Sequence, residues 1–361
     1  MEKYLIHEFK ESYGREPIIR KTKNGTLLCT CLSGGNWEPE NANVVKIQKS
    51  YDDGKTWSEP QVLFSHHSRG VWAPEMFVID DKIMIIVQTY NAESYYRELQ
   101  TFYSMSYDDG NTWSEPVSLP NGINGVSVRQ GIILSNNNYL FPIYYGEVVN
   151  NFDWKNVTNW NDNFKFCCGV MISNDGLKSY QRYGYIKSKK GLWEPNCIEA
   201  ENGHIIMYIR NNNDSYLGIS HSYDYGKTWT EFKQTNIPNP NTKVTLVKAN
   251  HLILLINNFN NVMGYKNRTH LQIWVSKDGE NFYKKIDCSG ASGPTVLPLF
   301  LFNNIVHNKK YKKILLLATG SLHSPLLINQ KMSIPSVTHA LEIEVVRWCL
   351  FIHFYFVALS V

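Results

Sequence analysis

Short runs of apolar and β-branched residues, broken by polar turns, recur along nearly the whole chain. They include 26–31, 44–49, 82–90, 139–145, 204–210, 217–222, 251–257 and 271–276. Runs of this length bounded by turn residues predict strands. Asn24-Gly25, Asp80-Asp81 and Asn202-Gly203 supply such turns. No stretch beyond about ten residues shows a 3.6-residue apolar period, so the pattern predicts an all-β chain.

A repeat organises these strands. Ser-Tyr-Asp-Asp-Gly-Lys-Thr-Trp begins at Ser50, a near copy begins at Ser106, and Ser-Tyr-Asp-Tyr-Gly-Lys-Thr-Trp begins at Ser222. Weaker copies begin at Ser173 and Ser276, so successive starts lie 49 to 67 residues apart. A period of that size means one supersecondary unit per repeat, close to a four-stranded propeller blade. Within the motif, Asp and Ser supply turn acceptors, Gly tolerates positive φ, and Trp plugs the hairpin onto the blade. The motif is expected to serve folding, on the face away from any site. The expected architecture is one six-bladed β-propeller over 1–346. Five blades carry the motif, a sixth near 290–345 lacks it, and 347–361 form an apolar tail or a last strand. An open ring would expose strand edges, so 4–9 is expected to pair with 341–346. Residues 148–166, with Trp154 and Trp160, are too long and polar for a hairpin loop and are expected to form a surface excursion.

Composition narrows the function. Of 361 residues, 43% are hydrophobic, 13% aromatic and 19% charged, and 36 basic against 32 acidic residues leave +4. That balance argues against a nucleic-acid partner. The apolar C-terminus is shorter than the ~20 residues of a membrane span. The seven Cys have no CxxC or Cys/His ligand spacing and are read as buried free thiols. Sequons at Asn24, Asn156, Asn213 and Asn267 lack an apparent export signal, so the default expectation is cytoplasmic. His66-His67 lacks spaced partners, and His221 reads as structural. No metal and no cofactor are expected. The oligomeric state is not legible.

With these motifs in place, the chain resembles the sialidase (neuraminidase) superfamily, in which the repeated Ser-x-Asp-x-Gly-x-Thr-Trp is the Asp box of a six-bladed propeller. Arg15-Glu16-Pro17 before a strand resembles the family's early Arg-x-Pro. Glu194 stands sixteen residues before Arg210, and Arg268 precedes the strand entering the last Asp box. The resemblance implies that Arg15, Arg210 and Arg268 clamp a substrate carboxylate, for which the planar, permanently charged guanidinium is suited. It implies that Glu194 polarises a nucleophile. The family acid/base is an Asp between the first Arg and the first Asp box; here Glu38 and Glu40 stand in that loop. A nucleophilic Tyr is expected after the last Asp box, yet none lies between Tyr283 and Tyr311.

Trp72 and Glu75, with Arg129 and Gln130, open inner strands of blades two and three and are candidate sugar contacts. The leading expectation is an exo-glycosidase of sialidase type acting on a terminal acidic sugar. A hydrolase or lyase for another sugar, with Glu75 and Glu194 as carboxyl pair, remains open, as do a non-catalytic glycan-binding propeller and a degenerate copy. A glycan is the expected partner.

Overall fold

A computed structural model describes residues 14–94, 96, 98–148, 164–212, 214–249, 251–288, 313–321, 336–346 and 349–357. The first blade is β1 (Gly14–Lys21), β2 (Leu27–Ser33), β3 (Val44–Ser50) and β4 (Gln61–Phe64). The second is β5 (Gly70–Ile79), β6 (Lys82–Tyr90), β7 (Gln100–Ser106) and β8 (Val117–Ser118). In the third, β9 (Val126–Val128) and β10 (Ile132–Ile133) share the inner position against β11 (Tyr139–Val148). They are followed by β12 (Phe164–Ser173) and β13 (Gln181–Ile186). The fourth is β14 (Leu192–Glu201), β15 (His204–Asn211), β16 (Tyr216–Ser222) and β17 (Lys233–Pro238). The fifth is β18 (Thr245–Ala249), β19 (Leu252–Asn258), β20 (Leu271–Ser276) and β21 (Phe282–Cys288). A sixth sheet holds β22 (Lys313–Ser321), β23 (Ser336–Val346) and β24 (Cys349–Val357).

The chain is therefore a β-propeller, with one correction to the blade count. Among the described residues there are five full blades, and the sixth sheet has three strands. Among the described residues all pairings are antiparallel, and apart from β9 with β11 they join chain neighbours, because each short strand needs only a hairpin to meet the next. Inner strands follow one another around the axis, β1 beside β5 and β14 beside β18, and β22 returns beside β1. Residues 4–9, expected to close the ring, lie outside the described residues. Their expected partner, 341–346, falls in β23, which pairs with β24 and, at Leu341–Glu344, with β22. The 148–166 segment begins and ends as strand, with Val148 opposite Phe164; 149–163 lie outside the described residues.

The core lies between blades. β6 reads Lys-Ile-Met-Ile-Ile-Val-Gln-Thr-Tyr, and every residue after Lys82 is buried. A strand with both faces covered loses polar alternation and becomes a continuous apolar run. Ile18, Leu28, Val45 and Ile47 of blade one pack on Met76, Ile83 and Ile85 of blade two. Ile198, Ile206 and Tyr208 of blade four pack on Leu246, Ile253 and Leu255 of blade five. Each such side chain contributes about 1.5–3 kcal/mol through burial, so the wedge contacts hold the ring.

The Asp boxes fill the turn between the third and fourth strands of each full blade. Asp52 accepts hydrogen bonds from Ser50 Oγ (2.9 Å), Thr56 N (2.9 Å) and Thr56 Oγ1 (2.6 Å). These donors draw the Asp52 carboxyl down to about 2. Ser50 Oγ in turn accepts from Gly54 N at 2.8 Å, and Trp57 Nε1 donates to Gly54 O at 3.0 Å. Asp108 and Asp224 repeat the arrangement, and Asp175 and Asp278 keep its main contacts. Gly226 shows why the motif needs glycine: its φ is +89°, and a Cβ there would meet Leu140 Cδ1 of blade three at 2.7 Å.

Candidate active site

Strand alternation places the start of every first strand and the end of every second strand at one end of the ring, and the Asp boxes at the other. At the first end the pairing of inner strands is interrupted. It slips between Arg15 and Ile18 in β1, between Trp72 and Glu75 in β5, and between Trp193 and Asn196 in β14. In blade three the gap between β9 and β10 does the same at Arg129 to Gly131. Such bulges re-aim side chains beside sites. Three of the four carry proline, at Pro17, Pro74 and Pro195, which cannot donate to a ladder. Glu16 and Glu194 precede two of these prolines and have φ of 52° and 42°. A left-handed backbone costs a non-glycine residue about 1–3 kcal/mol. Both residues meet the same partner, Lys243.

That contact organises a charged network spanning blades one, four and five. Glu194, 4% exposed, accepts from Arg210 Nη1 at 2.6 Å and faces Lys243 Nζ at 3.3 Å. Lys243 also pairs with Glu16. Arg210 Nε donates to Asn241 Oδ1 at 2.6 Å, and Arg268 Nη2 donates to Asn241 O at 2.9 Å. Arg15, beside Glu16, pairs with Glu38 at 3.0 Å, and Tyr96 Oη donates to Glu38 Oε1 at 2.7 Å. Glu194, Arg210 and Arg268 thus belong to one chain of contacts, and the Arg15–Glu38 pair adjoins it through Glu16, the chain neighbour of Arg15. Arg210 also lies over the Trp193 ring, 5.4 Å from its centroid.

The pKa values of the two glutamates are pushed in opposite directions. Burial would raise Glu194, but Lys243, Arg210 and Arg129 outweigh it and hold the carboxyl at about 2. For Glu38, whose side chain is 7% exposed, burial dominates, the Glu16 charge adds to it, and its pKa rises; Arg15, Tyr96 and Lys243 pull the other way. Environments that push two carboxyls apart separate an acid from an anion.

The other candidates fall in different places. Glu40 accepts from Asn36 N at 2.9 Å and holds its own loop. Glu75 is buried and accepts from Arg20 Nη2 at 2.7 Å, while Arg20 Nε donates to Met76 O, joining the inner strands of blades one and two. Arg129 is buried; burial acts to lower its pKa, but Glu194, Glu16 and Glu75 overcome that and raise it. Gln130 follows it, half-buried. Trp72 is buried and packs on Tyr96, ring centroids 4.5 Å apart. Tyr283 is 60% exposed, and Tyr311 lies outside the described residues.

Glu16, Tyr96, Tyr144, Asn241 and Lys243 were not singled out from sequence. The shared Glu-Pro in Arg15-Glu16-Pro17 and Trp193-Glu194-Pro195 was a legible signal for Glu16. Nothing marked Tyr96, Tyr144 or Lys243 among 22 Tyr and many Lys. Tyr144 is fully buried, and its phenol is pushed well up, first by burial and then by Glu194.

Blades pinned by Asp-box turns, with a charged cluster gathered at the opposite end, define an Asp-box propeller. The chain belongs to the sialidase superfamily, and within it to the BNR repeat-like domain family, whose model matches residues 25–340. It is 25% identical over 305 residues to a sialidase from Bacteroides fragilis, covering 73% of this chain and 53% of that one. Among solved structures it resembles the Hadza microbial sialidase Hz136, with TM-score 0.62, 17% identity, and coverage of 92% of this chain and 63% of that one. A protein of unknown function from Dyadobacter fermentans matches with TM-score 0.65, 14% identity, and coverage of 92% and 95%. The chain spans about half the length of the Bacteroides relative.

Proposed function

We propose that this chain is a sialidase-like exo-glycosidase that hydrolyses a terminal acidic sugar, its carboxylate held by Arg15, Arg210 and Arg268. The observation carrying this reading is that Arg210 and Arg268 share Asn241 beside Glu194, while Arg15 pairs with Glu38 next to Glu16, whose partner Lys243 also meets Glu194. The protein's own carboxylates pair with Arg15 Nη1 and Arg210 Nη1. Gathered cations repel, and these carboxylates offset that repulsion at Arg15 and Arg210.

The geometry supports a defined division of labour. Glu38 is the general acid, its pKa raised by burial. When Arg15 turns to the substrate carboxylate, Glu38 loses a cation that lowers its pKa, so binding itself favours the protonated acid. Glu38 then delivers its proton to the glycosidic oxygen as the bond to the aglycone breaks. Glu194 stays ionised and accepts the proton of the nucleophile, either a tyrosine phenol or a water.

The test is hydrolysis of a fluorogenic α-sialoside by the purified chain. Turnover is expected, with Arg268→Ala raising KM at least tenfold and Glu38→Gln lowering kcat at least a hundredfold. A folded wild type with no turnover ends the enzymatic reading. If calorimetry then shows binding of sialylated glycans, the propeller is a binding module.

A further inference from the structure

The end of the ring that carries the Asp boxes holds a second cluster of chemistry-bearing side chains, formed where blades four and five meet. His204 opens β15 after the Asn202-Gly203 turn, His221 stands next to last in β16, and Glu280 follows the Asp-box aspartate Asp278. We propose that His204, His221 and Glu280 form a divalent metal site of the zinc class, tying blade four to blade five.

Each residue offers one ligand atom, and these atoms lie within 4.8 Å of one another. His204 Nε2 and His221 Nδ1 are 3.2 Å apart. A tetrahedral zinc with nitrogen bonds of about 2.0–2.1 Å spaces its ligand nitrogens about 3.3 Å apart, so the imidazole pair already has that separation. Glu280 is the adjustable partner. Its side chain is 47% exposed, and its Oε2 lies 3.7 Å from the other His221 nitrogen, Nε2, so the carboxylate must rotate toward the Nδ1 side to join the two imidazole nitrogens. Water completes the coordination.

The three backbones are held independently of any ion. His221 N donates to Thr230 Oγ1 at 2.9 Å, and its carbonyl accepts from Thr230 N at 2.8 Å. Glu280 N donates to Asp278 Oδ1 at 2.9 Å. Gly203, next to His204, donates its N–H to Glu199 Oε1 at 2.9 Å. Tyr223 stacks on the His204 ring, centroids 4.6 Å apart and planes 15° apart, which fixes that imidazole. A site prepared in this way loses little side-chain entropy on binding.

The charges around the pair are compatible with a cation. Glu280 brings a negative charge to the pair, and Lys233 is a neighbouring positive charge. Two imidazoles and a carboxylate suit Zn²⁺, Co²⁺ or Ni²⁺ better than Ca²⁺ or Mg²⁺. The alternative, a plain hydrogen bond between two histidines, predicts no metal uptake.

The experiment uses the untagged full chain, stripped with chelator and desalted, then titrated with Co²⁺ and Zn²⁺. Visible Co²⁺ absorption and calorimetry are expected to show one equivalent bound in the micromolar range or tighter, with Tm rising as Zn²⁺ is added. His204→Gln or His221→Gln is expected to weaken binding at least a hundredfold, and Glu280→Gln by tens-fold. Should either histidine variant fold poorly, the exposed Glu280→Gln decides. No uptake by wild type, or uptake unchanged in the variants, overturns the proposal.

Discussion

Replacing Glu194 with Gln removes one negative charge from a buried group of cations while preserving shape. In the native protein that carboxylate meets Arg210 at 2.6 Å and Lys243 at 3.3 Å, and Arg129 also stabilises it. Removing one partner of a buried ion pair costs about 3–5 kcal/mol, because the remaining charge is left uncompensated. Two features place the variant at the lower end. The Gln oxygen can still accept from Arg210, and Lys243 keeps Glu16. The expected loss is about 3 kcal/mol, or roughly a hundredfold in the folding equilibrium. Acid provides an independent check. Glu194 sits at about 2 in the folded protein against an ordinary 4.5, so its contribution is complete above pH 4.5 and disappears as pH falls toward 2. Urea unfolding followed by tryptophan fluorescence, from pH 7 downward, reads both effects. The gap between wild type and Glu194→Gln should be about 3 kcal/mol at neutral pH and should narrow below pH 4.5. A gap under about 1 kcal/mol at pH 7, or one that persists unchanged into acid, refutes this account of the network.

Further outcomes follow from the same contacts. Lys243→Met removes a cation that lowers the Glu38 pKa, and Tyr96→Phe removes a hydrogen bond that does the same. With Glu38 as the acid, both variants should move the basic limb of the pH–rate profile upward, and limbs that stay in place argue against that assignment. Arg210→Lys keeps the charge but cannot reach both Glu194 and Asn241 as the guanidinium does. KM for an acidic glycoside should rise about tenfold or more, while an uncharged analogue should show no such discrimination. Gly226→Ala forces a Cβ to within 2.7 Å of Leu140 at φ +89°. Thermal unfolding should register a loss of about 2–3 kcal/mol, and a neutral substitution would show that the blade interface yields easily.

The Asp boxes were readable because their interactions are local. Each Asp binds groups within four residues of itself, so residue order alone specifies the turn. Strands 82–90 and 271–276 were likewise visible with their observed limits, because turns bracket each apolar run. The sixth sheet was harder to delimit, since it has no Asp box to mark its period. The candidate site was legible in part. Glu194, Arg210 and Arg268 stood out by spacing and by family resemblance; of the other candidates, Glu40 accepts from Asn36 N in its own loop and Trp72 is buried against Tyr96.

Chain order alone thus determined the wheel of antiparallel hairpins, because turn chemistry and apolar runs act over a few residues. Which charged groups meet was decided only when the ring formed. Lys243 and Glu16 are 227 positions apart, and Arg20 and Glu75 are 55 apart, yet each pair is joined across blades. No local pattern encodes such pairings. They follow from inner-strand bulges that turn side chains toward one another, and from burial that makes every unmatched charge costly.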